Sequence, residues 1–167
     1  MSTLFDPNTT QESSLQYRYV ENKYAYSQIG LHPVIGLGLG ANYRPWDHRI
    51  DAGATVSQIN AYYIHNGHLW IMLKTGLIGY LFFMWFVLLY IKRAIQNWKR
   101  ISDPLQSGII LSFATTMIGV LFAAFVNPVF RNSYWTPVIG VVMGIGEIVL
   151  RMNRDRIGHS DALEIIN

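Results

Sequence analysis

The sequence predicts an all-α, polytopic membrane protein fragment with three transmembrane helices and an N-terminal segment outside the membrane. Of its 167 residues, 51% are apolar and only 14% are charged, against about 25% charged in an ordinary soluble domain. The apolar residues are concentrated after residue 68, and basic residues border the apolar runs. This distribution is typical of a membrane protein rather than of a nucleic-acid binder, so no nucleic-acid partner is expected.

Three apolar runs can cross a bilayer. The first has 23 residues and one charge, Lys74, which is expected to snorkel to the interface. At 1.5 Å per residue it spans about 34 Å, against about 30 Å of hydrocarbon. Asp103 and Pro104 are expected to begin the second run, and Asn127-Pro128 to end it. The predicted spans are about 69–91, 106–126 and 134–151, within a membrane region of 69–150. A soluble three-helix core is the less favoured alternative, because charge-free runs of this length are rare outside lipid.

The distribution of basic residues predicts an orientation. Residues 92–105 carry four basic residues against one acidic residue, and the tail 151–167 opens with three arginines in six positions. By the positive-inside rule both segments face the cytoplasm, whereas residues 1–68 and 127–134 face the other side. Residues 1–15 contain neither an apolar run nor a basic start. We therefore expect a membrane segment upstream, and interpret the chain as the C-terminal part of a larger polytopic protein.

The external segment 1–68 is expected to contain one helix and a long loop. Residues 1–14 are polar and expected to be loose, and Ser13 with Gln16 forms a capping-box pattern that would start a helix. This helix would end near Leu31, before Pro33. Its four tyrosines suit a position at the membrane interface.

Several residues of this segment could carry chemistry, and each has an ordinary structural alternative. Gly36, Gly38 and Gly40 would let the backbone turn or approach another group, but their spacing is not that of a dinucleotide-binding loop. His65 could act as a general base, or it could simply border the first span, with Asn66 as the N-cap.

The basic residues leave similar alternatives open. Arg18, taken alone, is most simply a solvated helix charge. Arg44 and Arg49 could bind an anion or only solvate their loop. His65 and His68 have the spacing of two metal ligands, but no third ligand has recognisable spacing, so no metal is expected.

Two features within the spans bear on packing. Glu147 lies four residues before Arg151, and an ion pair between them is favoured over a proton relay. Gly140 and Gly144 form a small-residue face on the third run, which would let helices approach closely.

Two blocks of sequence, taken together, resemble a known family. The first is Arg18-x-x-x-Asn22-x-x-Ala25, continuing to His32-Pro33-x-x-Gly36-x-Gly38-x-Gly40. The second is His65-Asn66-Gly67-His68-Leu69, continuing to Thr75-Gly76-Leu77-Ile78-Gly79. In this order and at this position beside the membrane, they resemble the C-terminal half of the O-antigen ligase and O-antigen polymerase superfamily. The resemblance covers residues 18–91 by motif and 92–150 by hydropathy.

The resemblance implies a metal-independent glycosyl transfer, without a cofactor, on the periplasmic side of the bacterial cytoplasmic (inner) membrane. The donor would be a glycan on undecaprenyl pyrophosphate, and the acceptor lipid A-core or another lipid-linked glycan. Arg18 matches the family's arginine and would hold the pyrophosphate leaving group, because a guanidinium binds phosphate through paired donors. His65 matches the family's histidine and would act on the acceptor hydroxyl as a base.

Further residues are expected to contribute to substrate binding. Asn66 would cap the first span and help to aim His65, and the glycines would let the backbone approach the lipid-sugar headgroup. The residues expected to bind substrate are Gly36, Gly38, Gly40, Arg44, Arg49 and Asn66. The resemblance gives no support for the two arginines among them.

The chain also departs from the family. Asn22 stands where the family usually has an aromatic residue, and family members have many more membrane helices. Three helices cannot enclose the donor cavity, so the expected partners, besides membrane lipids, are missing N-terminal helices or a completing subunit. The alternative hypothesis is a non-catalytic small membrane subunit or remnant that packs through its glycine-rich helices.

Overall fold

Every regular element in the part of the chain that the structure describes is helical. The structure is a computed structural model that describes residues 7–51, 61, 64–131 and 134–164, and the side chains of 15–51, 61, 64–131 and 134–153. The α-helices are α1 Pro7–Leu31, α2 His48–Asp51, α3 Gly67–Asn97, α4 Pro104–Ala123 and α5 Trp135–Glu164. Short 3-10 turns span Trp98–Arg100 and Val129–Arg131. The predicted all-α class is confirmed.

Three helices are long and apolar enough to cross a membrane, as predicted: Gly67–Arg100, Pro104–Ala123 and Trp135–Asn153. They are compatible with a multi-pass membrane protein. The helix ends differ from the ends of the apolar runs, because lysine, arginine and glutamine are good helix formers and continue a helix beyond its apolar part. Thus α3 runs past residue 91, and the predicted tail after residue 151 is helical as far as Glu164.

The first helix begins earlier than predicted. α1 starts at Pro7, so the expectation of a loose segment is wrong for residues 7–14, while residues 1–6 lie outside the described residues. Proline suits the first turn of a helix, because its fixed φ is helical and its missing N–H has no intrahelical acceptor there. The capping-box pattern at Ser13 therefore lies inside α1 rather than at its start.

The chain divides into two compact units. The first contains residues 1–81 and 124–130, and the second residues 82–123 and 131–167. The buried apolar core of the first unit consists of Ala25, Tyr43, Ile64, Leu69 and Leu73. In the second unit α4 packs against α5. Its two apolar clusters are centred on Val87, Tyr90, Ile91, Met117 and Met143, and on Ala94, Ile101, Ile110, Ala114 and Leu150.

In the first unit α3 is interrupted at Gly76, where φ is 67° and ψ is −172°. A regular helix would join the amides of Leu77 and Ile78 to the carbonyls of Leu73 and Lys74. Instead, the carbonyls of Leu73 and Lys74 accept hydrogen bonds from amides of the glycine-rich loop, at 2.9 and 3.0 Å. The amides of Leu77 and Ile78 donate to carbonyls of the same loop, at 2.8 and 3.3 Å. The loop groups are the amides of Leu37 and Gly38 and the carbonyls of Pro33 and Val34. Two intrahelical hydrogen bonds are thus replaced by four to the loop.

This exchange requires glycine on both sides. Gly36 has φ +68°, and a Cβ built there would lie 2.5 Å from the backbone nitrogen of Gly76. A Cβ at Gly76 would likewise collide with the backbone of Val34. By contrast, a Cβ at Gly40 would meet nothing within 4 Å. The glycines of the motif therefore differ in role, and Gly36 is the one that permits the close contact between the loop and α3.

We expect Gly36→Ala to destabilise the chain by about 3 kcal/mol or more, since a left-handed residue acquires a Cβ that overlaps backbone atoms. Gly40→Ala is the matched control and should change the free energy of unfolding by less than about 0.5 kcal/mol. Thermal unfolding of the detergent-solubilised chain, followed by circular dichroism, measures both. Equal midpoints for the two variants would contradict the proposed backbone exchange.

Candidate functional site

The candidate site lies in the first unit, where α1 contacts the turn that precedes α3. Nδ1 of His65 lies 2.7 Å from Oε2 of Glu21, and the backbone N–H of His65 donates to the same oxygen at 3.3 Å. The side chain of His65 is 34% exposed, whereas that of Glu21 is only 1% exposed. The contact therefore joins an accessible imidazole to a buried carboxyl group.

The environment of Glu21 is unusual for a carboxylate. Burial raises the pKa of Glu21 above its ordinary value, and the hydrogen bonds and charge of His65 oppose this only in part. Its second oxygen, Oε1, is buried and has no hydrogen-bond partner among the described residues. Leaving such an acceptor unsatisfied costs about 1–3 kcal/mol. Such atoms occur at functional sites and also where a water or ion is bound, and Nε of Arg44 is another buried atom without a partner among the described residues.

The contact selects a form of the imidazole ring. When Glu21 is ionised, its carboxylate only accepts hydrogen bonds, so the ring then donates from Nδ1 and carries its lone pair on Nε2. A buried carboxylate in this position also stabilises the imidazolium that forms when Nε2 takes up a proton. His65 and Glu21 thus have the arrangement of a general base and the residue that orients it.

Tyr17 packs against the imidazole of His65. Its ring meets the ring of His65 edge to face, with centroids 5.6 Å apart and planes at 87°. Tyr17 lies one helical turn before Glu21, so α1 presents both side chains to His65. Burial, followed by the charge of Glu21, raises the pKa of Tyr17, which keeps its phenol neutral.

The position of His65 depends on the start of α3. Oδ1 of Asn66 accepts the backbone N–H of Leu69 at 3.0 Å, which confirms Asn66 as the predicted N-cap. The N–H of Gly67 donates to the carbonyl of Ala124 at 2.7 Å, and a Cβ at Gly67 would lie 3.1 Å from the carbonyl oxygen of Asn127. The turn that holds His65 is therefore fixed by contacts on both of its sides.

Arg18 lies one turn before Glu21 on α1, so the two side chains leave the helix from neighbouring positions. Arg18 is partly exposed. Within the described part of the chain no carboxylate pairs with it. The helix that supplies the carboxylate for His65 therefore also carries a guanidinium that no described carboxylate neutralises.

The two arginines of the loop are paired instead. Arg44, whose side chain is fully buried, donates to both carboxylate oxygens of Asp51, at 2.6 and 3.0 Å. Burial alone would lower the pKa of Arg44, but the hydrogen bonds to Asp51 hold it above its usual range. Arg49 donates from Nε to Asp47 at 2.9 Å, and these hydrogen bonds hold the pKa of Asp47 well below its usual range.

These pairs bear on the alternatives left open for the loop. Each guanidinium is already bound by a carboxylate within the described loop, so the local charge is balanced. The Arg44 pair is buried, whereas Arg49 is exposed and keeps further N–H donors. Substrate binding by Arg44 and Arg49 stays a prediction.

Lys74 does not snorkel as expected. It is only 2% exposed, and its ammonium group donates to the carbonyl of Ala41 in the glycine-rich loop. The reason is the interruption of α3 at Gly76, which brings the loop backbone beside Lys74 and supplies acceptors there. Lys74 therefore ties the loop to α3.

The glycines and His68 occupy different surroundings. The close approach at Gly36 is to the backbone of α3, while a contact of Gly36, Gly38 or Gly40 with a headgroup stays a prediction.

His68 is buried among aromatic rings, and the hydroxyl of Tyr80 lies 3.3 Å from its Nδ1. Among the described residues, no group of three side chains is arranged to hold a metal ion.

Comparison with protein families, curated proteins and solved structures returned no match to this chain.

Sequence reasoning proposed His65, Arg18 and Asn66 as site residues but missed Glu21. One signal could have revealed it, since Glu21 is the only acidic residue of the predicted helix 13–31. It also lies one turn from both Tyr17 and Arg18, so helical spacing groups the three. The contact with His65, 44 residues further along the chain, could not be read from spacing.

We expect Asp51→Asn to destabilise the chain by about 3–5 kcal/mol near pH 7, because it leaves the buried guanidinium of Arg44 without its carboxylate. Thermal unfolding measures the loss. The exposed Lys23→Gln on α1 is the control and should be near neutral.

The same pair predicts a pH dependence. The hydrogen bonds of Arg44 lower the pKa of Asp51 below its ordinary value, so the stabilisation is complete above that ordinary value. It is lost as the pH falls through the lowered pKa. The difference in unfolding midpoint between wild type and Asp51→Asn should therefore shrink in acid, and a constant difference from pH 7 to pH 3 would contradict this account.

Proposed function

We propose that the first unit carries the acceptor-activating part of a membrane glycosyltransferase of the O-antigen ligase and polymerase type. The donor would be a glycan on undecaprenyl pyrophosphate, and the acceptor a hydroxyl of lipid A-core or of another lipid-linked glycan. The single observation that carries the proposal is the contact of 2.7 Å between His65 Nδ1 and the buried Glu21 Oε2. A solvated surface histidine needs no such support, whereas a general base gains a defined tautomer from it.

The proposed reaction is one displacement at the anomeric carbon of the donor sugar. The acceptor hydroxyl gives its proton to Nε2 of His65 while its oxygen forms the new bond to the anomeric carbon. The bond from that carbon to the pyrophosphate oxygen breaks, and the electron pair leaves with the lipid pyrophosphate. Glu21 holds the imidazole in place and stabilises the positive charge that the ring acquires.

Arg18 is assigned to the leaving group. The departing pyrophosphate gains negative charge, and a guanidinium can bind it through two parallel hydrogen bonds. The absence of a carboxylate partner for Arg18 among the described residues supports this assignment, since none of them neutralises its charge. Its position one turn from Glu21 places both charges on the same part of α1.

The proposal includes a location and an orientation. The protein would lie in the bacterial cytoplasmic membrane, with residues 1–68 in the periplasm and the C-terminus in the cytoplasm. Lys92, Arg93, Lys99 and Arg100 support this, since they follow the apolar part of α3 and the positive-inside rule assigns such residues to the cytoplasm.

We expect His65→Ala and Arg18→Ala each to lower glycan transfer by at least about 10²-fold, the usual range for loss of a general base or of leaving-group stabilisation. Glu21→Gln should also lower transfer, because the amide can donate to Nδ1 and so favour the ring form that has no lone pair on Nε2. The assay is the amount of surface polysaccharide in cells whose own copy of the gene is replaced by the variant.

Two controls make this result interpretable. Lys23→Gln removes an exposed cation from the same helix and should leave transfer unchanged. The quantity of each variant in the membrane must match wild type, and the ¹⁵N resonances of the His65 ring should move in Glu21→Gln if the tautomer changes. Normal transfer by His65→Ala would reject the proposal and favour the non-catalytic subunit.

The orientation has its own test, which uses the absence of cysteine from the chain. Asn42→Cys and Ser102→Cys each introduce one thiol at an exposed position, in the glycine-rich loop region and between α3 and α4 respectively. A membrane-impermeant thiol reagent should label Asn42→Cys in intact spheroplasts and Ser102→Cys only after lysis. The reverse pattern would overturn the orientation.

A further inference from the structure

The second unit contains a polar cavity at the ends of its spans. The cavity has a volume of about 580 Å³ and lies between the C-terminal part of α3 and α5. Among its lining residues are three arginines and one carboxylate, Arg93, Arg100, Arg151 and Glu147. The cavity therefore has an excess of positive charge.

The arrangement of these side chains leaves donors for a ligand. Arg93 and Arg151 both bind Glu147, at 2.9 and 2.8 Å, so one carboxylate is shared between two guanidinium groups. A guanidinium has five N–H donors, and a single shared carboxylate uses few of them. Arg100 is exposed and pairs with no carboxylate within the described residues.

An apolar groove adjoins this cavity. The groove has a volume of about 380 Å³, and Arg93, Glu147 and Arg151 line both spaces. From there the groove extends along α5 to Gly144 and Gly140, where a Cβ would meet nothing within 4 Å. The close helix packing expected at these two glycines therefore does not occur within the described chain. Instead, the two glycines line the groove and leave it open because they have no side chain.

The dimensions match one leaflet of a bilayer. Arg151 lies eleven positions after Gly140, which corresponds to about 16 Å along a helix. Half of a hydrocarbon core of about 30 Å is about 15 Å. Arg151 lies two residues from the end of the candidate span Trp135–Asn153. Because headgroups are expected at the end of a span, the polar cavity matches the headgroup level and the groove matches the acyl-chain level.

We propose that this cleft binds one anionic phospholipid, whose phosphate is held by Arg93, Arg100 and Arg151 and whose acyl chain lies in the groove over Gly140 and Gly144. Charge complementarity decides for an anionic lipid over a zwitterionic one, because a basic pocket between membrane helices selects anionic headgroups. The inference is independent of the proposed glycosyl transfer, since no residue is shared between the two sites.

The test uses the full chain in detergent, titrated with dioctanoyl phosphatidylglycerol and followed by native mass spectrometry. We expect one phosphatidylglycerol adduct, retained in preference to dioctanoyl phosphatidylcholine. Arg100→Gln should weaken it about fivefold, the effect of one basic residue worth about 1 kcal/mol. This substitution breaks no ion pair to a described residue, so the fold is not at risk. Lys92→Gln, one position from Arg93 and outside the cavity lining, is the charge-matched control and should have no effect.

A second variant tests the groove. Gly144→Leu places a side chain in the groove at a position where a Cβ meets nothing within 4 Å, and it should abolish the adduct. Gly119→Leu, where a Cβ is equally open but on α4, should leave the adduct intact. Equal retention in wild type, Arg100→Gln and Gly144→Leu would overturn the proposal. So would displacement by equimolar inorganic phosphate, which would indicate a soluble anion, or a loss of self-association in Gly144→Leu with lipid retention unchanged, which would indicate a partner helix.

Discussion

The backbone exchange between the glycine-rich loop and α3 is the contact on which the first unit depends. Irregular backbone within a membrane-spanning helix is tolerated only where protein or enclosed water satisfies its polar groups. Here Pro33, Val34, Leu37 and Gly38 satisfy all four groups that Gly76 releases. The same contact buries Lys74 beneath the loop, where the carbonyl of Ala41 accepts its ammonium group. A break in one helix thus becomes the attachment point for a loop.

The first unit contains two pairs with buried charged groups, Arg44 with Asp51 and His65 with Glu21, and their hydrogen bonds differ. Arg44 and Asp51 form a two-point pair that uses both carboxylate oxygens, which makes a stable support for the loop. Glu21 presents only one oxygen to His65, and its other oxygen is buried without a described partner, as is Nε of Arg44. The two pairs therefore differ in how many carboxylate oxygens bind the cationic side chain. The partly exposed imidazole is the end of the pair that a substrate could reach.

In both units, the role of a cation can be judged from whether a carboxylate is paired with it. Where a carboxylate is paired with each cation, as in the loop of the first unit, a structural role accounts for the charge. Where cations outnumber carboxylates, a ligand can complete the balance. Arg18 in the first unit and the arginine cavity of the second both belong to this class, and we propose a phosphate-bearing lipid as the ligand of each. The lipid proposed for Arg18 is a reacting donor, whereas the lipid proposed for the cavity stays bound.

The sequence by itself determined the helical class, the three spans and the N-cap at Asn66, because these follow from hydropathy and local hydrogen bonding. It also indicated the pairing of Glu147 with Arg151, which needs only helical spacing. Helix ends were less predictable, since an apolar run and a helix end for different reasons. Only the tertiary structure decided that Gly36 meets Gly76, that Lys74 is buried, and that Glu21 supports His65. Those contacts join residues far apart in the chain, and their partners are selected by packing and burial, which no local pattern encodes.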